Sequence, residues 1–302
     1  MGTRIESAAT SFRRGRLFGR GALHLTDAAA RACLERAHHR ADELDLLINA
    51  GIYKDRNTAE PALASIIQED IGANLGGPVH MGHHGTFSFD VLNGACGVIT
   101  AAQLIDGFVG HGSARLGMVV AADADPSPRT SRQFPFSPAG GAVLLAHIDG
   151  DGGFQRFELR TFPEHATLFE TRLRWDPEAG FAHRGRNVLE VYEAPAFASC
   201  CVERAAEVVG ATLATAGLTA DDIDLVLASQ YPRGFGTQVA RRLGIPTDRV
   251  PEVRAELVAA HTAGPIAALE ASIRSRRFAV ARHSLFVTAG AGITIGVALY
   301  RN

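Results

Sequence analysis

Two stretches, "DLLINAG" at 45–51 and "DLVLASQ" at 224–230, hold the same place in two successive runs of helices and strands. The match extends along both halves. "ACGVITAAQLIDGFVG" (95–110) and "AAHTAGPIAALEASIRS" (259–275) both read as apolar helices. "LGMVVAAD" (116–123) answers "SLFVTAGAG" (284–292), and "GAVLLAHI" (141–148) answers "ITIGVALYR" (293–301), all as buried strands. Identity between the halves is low, but the order of elements returns. The period is far too long for a solenoid. This pattern predicts an α/β fold built from a duplicated unit, with halves at 1–150 and 151–302. The loop-rich stretch "FPEHATLFETRLRWDPEAGFAHRGRNVLE" (162–190) reads as the bridge between them.

Further elements fill in around this frame. "LTDAAARACLERAHHRA" (25–41) predicts an amphipathic helix capped by Thr26 or Asp27. "PALASIIQEDIGANL" (61–75) predicts a helix that opens at Pro61. "FSFDVLN" (87–93) reads as a strand, 193–217 as a long helix and 237–245 as a shorter one.

Composition narrows the function classes. The chain has 302 residues, a formal net charge of −2 and no long run of Lys or Arg, which argues against nucleic-acid binding. The basic N-terminus lacks an apolar core of the secretory kind, and no charge-free apolar stretch is long enough to span a membrane. Cys33, Cys96, Cys200 and Cys201 form no C-x-x-C and no disulfide framework, which fits a reducing cytoplasm. Cys33, Cys200 and Cys201 read as filler.

The duplication gives Cys96 a different meaning. If the halves are related by a pseudo-twofold axis, equivalent helix starts face a shared centre. Cys96 and His261, far apart in sequence, then approach each other. A thiol at a helix N-terminus is expected to have a lowered pKa, and an imidazole nearby to lower it further or take its proton.

"FDVLNGACGVITAAQLID" resembles the nucleophile segment of the thiolase-like condensing enzymes, closest to ketoacyl synthase III. "SPAGGAVLLAH", "DLVLASQYPRG", "AAHTAGPIAALEA" and "TAGAGITIGVALYRN" resemble that family's other motifs in the right order. The resemblance implies a duplicated αβαβα layered fold and an acyltransferase of fatty acid or polyketide biosynthesis. It implies that Cys96 takes an acyl group from a coenzyme A or acyl-carrier-protein thioester, the substrate, with no bound cofactor. It places Ser229 where the family has a histidine, and His261 where it has an asparagine, so the catalytic set becomes Cys96, Ser229 and His261. The backbone amides of Cys96 and Gly292 are expected to form the oxyanion hole. A serine is a weaker and shorter donor than an imidazole, so the paired-donor site for an enolate is weakened. The resemblance also implies a homodimer paired through "FSFDVLN". Two alternatives stand beside it: a degenerate partner subunit in a heterodimer with an active homologue, and an acyl-thioester hydrolase.

Other motifs carry less. "HMGHHG" (80–85) lacks the accompanying Cys, Asp or Glu ligands of a metal site. Arg14, Arg16 and Arg20 read as a solvated basic segment rather than a phosphate site. "SPAGG" and "GAGIT" do not follow nucleotide-loop spacing.

Overall fold

In chain order the first half runs β1 (Gly2–Phe12), α1 (Ala22–Ala37), β2 (Leu46–Asn49), α2 (Leu63–Ile71), β3 (Phe87–Asp90), α3 (Gly97–Gly110), β4 (Leu116–Asp123) and β5 (Ala139–Ile148). The second runs β6 (Gly153–Thr161), β7 (Phe169–Asp176), β8 (Arg186–Glu193), α4 (Phe197–Ala216), β9 (Leu225–Ala228), α5 (Phe235–Leu243), α6 (Gly264–Arg274), β10 (His283–Gly290) and β11 (Thr294–Arg301). This computed structural model describes residues 2–12, 21–57, 60–74, 85–126, 134–178 and 186–302.

The strands form two main sheets, in the orders β1-β5-β4-β2-β3 and β6-β11-β10-β9. Position by position, the pairings agree in sense. β1–β5 and β6–β11 are antiparallel, as are β5–β4 and β11–β10, while β4–β2 and β10–β9 are parallel. The repeat read from the sequence is therefore a repeat of topology. Among the described residues, β3 has no counterpart in the second sheet.

Burial explains the layering. β4 is buried along its whole length and β10 nearly so, as strands covered on both faces must be. Helices α3 and α6 lie between the sheets, each in contact with strands of both. One apolar cluster joins Ile99, Ile105, Ile266 and Leu269 to Val119, Leu145, Leu227 and Phe286 in this middle layer. A second packs α1 and α2 on the outer face of the first sheet, and a third packs α4 and α5 on the second. The order is helix, sheet, helix, sheet, helix, the thiolase-like arrangement. Gly141 permits the close approach of α6 to β5: a Cβ there would stand 2.9 Å from Ile266 Cβ.

Several local expectations change. Helix α1 begins at Ala22, not near Thr26. Its first amides, of Ala22 and Leu23, donate to the Asp55 carboxylate at 2.8 and 3.2 Å. Thr26 lies inside the helix and donates to the Ala22 carbonyl. Helix α2 begins at Leu63, where the Asp90 carboxylate accepts the amides of Leu63 and Ala64. Both caps come from residues distant in sequence, Asp55 in a 3₁₀ turn and Asp90 at the end of β3, so neither could be read locally. The stretch 162–190 is more ordered than a loop: β7 and β8 pair as an antiparallel ribbon. β1 and β6 were not assigned from pattern. β1 carries a bulge between Ile5 and Ser7, and β6 is mostly unburied, so neither shows clean alternation.

Candidate active site

A 3₁₀ turn, Gly94–Cys96, leads from the end of β3 into α3, with Cys96 as the N-cap. Gly94 has φ +51°, a region that suits glycine. Cys96 is completely buried, and its thiol donates to the Thr294 carbonyl at 3.3 Å. Glycines make its room. A Cβ on Gly290 would stand 3.5 Å from the sulfur, and one on Gly296 would stand 3.6 Å from Cys96 Cβ.

The thiol is not activated as the helix start suggests. Burial pushes it up to about 11, against the smaller opposing effects of the Thr288 hydroxyl and the Gly296 and Gly290 backbone. Loss of water outweighs the polar groups nearby, and among the described residues no cation offsets it.

His261 precedes α6 as Cys96 precedes α3. Asp123, at the end of β4, holds this turn. Its carboxylate accepts the amides of His261 at 2.7 Å, Thr262 at 2.8 Å and Ala263 at 3.1 Å, and the Thr262 hydroxyl at 2.7 Å. Burial pushes the Asp123 acid up to about 6, while these donors pull it down. The imidazole stacks on Phe136 at 4.4 Å between centroids, and its Nδ1 lies 2.9 Å from the Tyr53 hydroxyl. Tyr231 and Phe169 close the box. Burial alone drives the His261 pKa down to about 3, so the ring is neutral at ordinary pH.

The two helix starts meet. A Cβ on Gly94 would lie 3.9 Å from His261 Cε1 and 4.0 Å from Nε2, so the ring edge faces the turn that carries Cys96. Among the described residues, no hydrogen bond joins Cys96 to His261.

Ser229 directly follows β9 and is buried. Its amide donates to Val287, and its hydroxyl accepts the Ala289 amide at 3.3 Å. The side chain therefore ties β9 to β10. Ser229 and Gln230 also line a cavity of about 770 Å³ between α5, the 247–258 segment and the C-terminal end of α6, a cavity whose lining includes neither Cys96 nor His261. Gly292, with φ +104°, lies in the turn between β10 and β11, partly exposed. The Cys96 amide, expected in an oxyanion hole, donates to the Asn93 carbonyl at 3.0 Å within the 3₁₀ turn.

Sequence reasoning missed Tyr53, Asp123 and Phe136. Asp123 had a faint signal, an acid closing an apolar strand; Tyr53 and Phe136 had none. The three histidines of "HMGHHG", His80, His83 and His84, and Arg14, Arg16 and Arg20 fall outside the described residues. Among the described residues, no cluster of three or more His, Cys, Asp or Glu could hold a metal, and no helix is long and apolar enough to cross a membrane.

Comparison with known proteins agrees with the topology. Residues 213–302 match the family model of the 3-oxoacyl-[acyl-carrier-protein (ACP)] synthase III C terminal. The chain is 27% identical over 293 residues to the beta-ketoacyl-[acyl-carrier-protein] synthase III of Rhizorhabdus wittichii, covering 92% of this chain and 83% of that one. To the enzyme of the same name from Roseiflexus castenholzii it is 29% identical over 306 residues, covering 97% and 87%. The crystal structure of 3-oxoacyl-[acyl-carrier-protein] synthase III from Aquifex aeolicus superposes with a TM-score of 0.78 at 19% identity, covering 100% of both chains.

Proposed function

We propose that this chain, a thiolase-like condensing enzyme of the ketoacyl synthase III type, is an acyltransferase that carries its acyl group on Cys96. The observation that carries this reading is the placement of the Cys96 sulfur. It is buried at the start of α3, between Gly290 and Gly296, with the edge of His261 against the same turn. The donor is an acyl thioester of coenzyme A or of an acyl carrier protein. The sulfur bonds to the acyl carbon, the donor's carbon–sulfur bond breaks, and the thiol proton leaves with the departing thiol. A thiol near pKa 11 attacks only as the thioester displaces its surroundings, because little thiolate exists beforehand. The acyl group then passes to a carbon nucleophile in a Claisen-type condensation, or to another acceptor.

Ser229 and His261 serve the second step in this reading, and Gly292 offers its amide to the thioester oxygen. The Cys96 amide joins it only by releasing or sharing the Asn93 carbonyl. Two copies pair through the edge strand β3, where Phe87 is 57% exposed and nearby Leu92 is 61% exposed.

One observation favours a second reading. Cys96 has no exposed surface and its amide is already engaged, as suits a degenerate subunit that supports an active homologue.

Intact-protein mass spectrometry decides between them. The protein is incubated with acyl-CoA and acyl-carrier thioesters, beside Cys96→Ala. A gain of one acyl group that vanishes in the variant supports the acyltransferase. A malonyl thioester chase then separates condensation from transfer, and free acid as the main product marks a hydrolase. No adduct with any donor supports the partner subunit.

A further inference from the structure

Tyr53 is buried, and among the described residues its hydroxyl has one hydrogen-bond partner, Nδ1 of His261 at 2.9 Å. Around that hydroxyl stand aromatic rings. Phe134 meets the Tyr53 ring edge-on at 5.0 Å, and Phe136 lies at 5.4 Å. Burial raises the phenol well above its ordinary pKa of 10, so it keeps its proton. The shared hydrogen bond has two possible directions. If Nδ1–H donated to the phenol oxygen, the Tyr53 proton would face surrounding aromatic rings and, among the described residues, no second hydrogen-bond acceptor. A buried donor left unsatisfied in this way is costly. If the phenol donates to the Nδ1 lone pair, both groups are satisfied. A neutral imidazole that accepts at Nδ1 carries its proton at Nε2.

The other ring edge has a defined direction. Nε2 and Cε1 face Gly94, two residues before Cys96. Among the described residues Nε2 makes no hydrogen bond, while the Cys96 amide already serves Asn93. An acyl or enolate oxygen placed beside Cys96 would find at Nε2 a donor already aimed at it.

We propose that Tyr53 is a positioning residue that locks His261 in the Nε2–H form, making it a hydrogen-bond donor toward the substrate oxygen and not the base that takes the Cys96 proton. This rests on the acyltransferase reading. It adds that the proton on Cys96 must leave by another route, with the departing thiol, because a nitrogen that bears a proton and has no second lone pair cannot accept one. The acyl step thus gains an oxyanion donor, not a base.

The test has a structural arm and a kinetic arm. In the first, the full chain is labelled with ring-¹⁵N histidine, and long-range ¹H–¹⁵N spectra are recorded from pH 5 to 8. The His261 signals are assigned by their loss in His261→Asn. The expected result is a protonated Nε2 and a bare Nδ1 throughout, giving way to mixed tautomers in Tyr53→Phe. A protonated Nδ1 in the wild type overturns the proposal, and so does a tautomer that Tyr53→Phe leaves unchanged. In the second, the rate at which acylated Cys96 discharges to acceptor is compared in two variants. Asparagine can donate but cannot act as a base. His261→Asn is expected to stay within about tenfold of wild type, while His261→Ala loses about 10²–10³-fold. Equal losses in the two variants identify a base and overturn the proposal. Absence of any acyl adduct on wild-type Cys96 would instead overturn the acyltransferase reading, while the spectra still report the tautomer.

Discussion

Asp123 Oδ2 accepts the backbone amide of His261 at 2.7 Å, across 138 residues of sequence. The two residues stand at the ends of different halves' elements, β4 and the turn into α6. This bond is one of four that the carboxylate accepts from His261, Thr262 and Ala263. It fixes where the imidazole ring can be before any side-chain contact does.

Replacing Asp123 by Asn should therefore damage both stability and the site. The amide keeps the shape but turns an NH₂ group toward amides that also donate. At least one buried donor loses its acceptor, a cost of about 1–3 kcal/mol. Urea unfolding should show a loss in that range with an unchanged slope. Stability within about 0.5 kcal/mol of wild type would mean that other contacts hold the α6 turn.

His261 should make the fold acid-sensitive. Its pKa is about 3 in the folded protein against 6.5 for the free group. A depressed folded value gives stability that is present above pH 6.5 and lost as pH falls toward 3. The slope from this group is about 1.4 kcal/mol per pH unit. Asp123 works the other way, because its folded value is raised from 3.8 to about 6. Its contribution is present below about 3.8 and lost as pH rises through about 6. Comparing wild type with His261→Gln isolates the histidine. The wild-type advantage should shrink steadily between pH 6.5 and 4.5. A difference that stays flat with pH would show that the ring is not held neutral.

Thiol reactivity should follow burial rather than helix position. Cys96 and Cys33 are both pushed up to about 11, whereas Cys200 is only partly buried. Iodoacetamide at pH 8, read by peptide mass mapping, should modify Cys200 first and Cys96 slowly, with the Cys96 rate climbing toward pH 10. Fast labelling of Cys96 at pH 7 would indicate an activated thiolate and contradict its complete burial.

The contact between halves at Gly141 should tolerate no added methyl. A Cβ there would overlap Ile266 at 2.9–3.0 Å, pressing on α6 and, one turn further, on the His261 segment. Gly141→Ala is expected to cost about 1–3 kcal/mol, the usual range for overpacking. Gly107→Ala, where a Cβ meets nothing within 4 Å, serves as the control and should be neutral or slightly stabilising, since Gly107 lies inside α3. Equal effects from the two changes would show that α6 can slide.

The duplicated α/β order and the placing of Cys96 and His261 at equivalent helix starts were legible in the residues alone. Both are matters of local periodicity and of its return in the second half, and periodicity survives in a string of letters. The strands β1 and β6 escaped because a bulge and an unburied face erase alternation. The caps on α1 and α2 escaped because Asp55 and Asp90 reach them from other parts of the chain. The chemistry of the site depends on three-dimensional packing. Helix position argued for a low thiol pKa, and the imidazole expected beside it argued for a base. Packing took both groups out of water and left both neutral: for Cys96 the cost of desolvating a thiolate outweighs the helix dipole, and for His261 burial disfavours the imidazolium, as the positive helix start also does. The same packing brought Tyr53 to His261 across 208 residues, a contact no local pattern encodes.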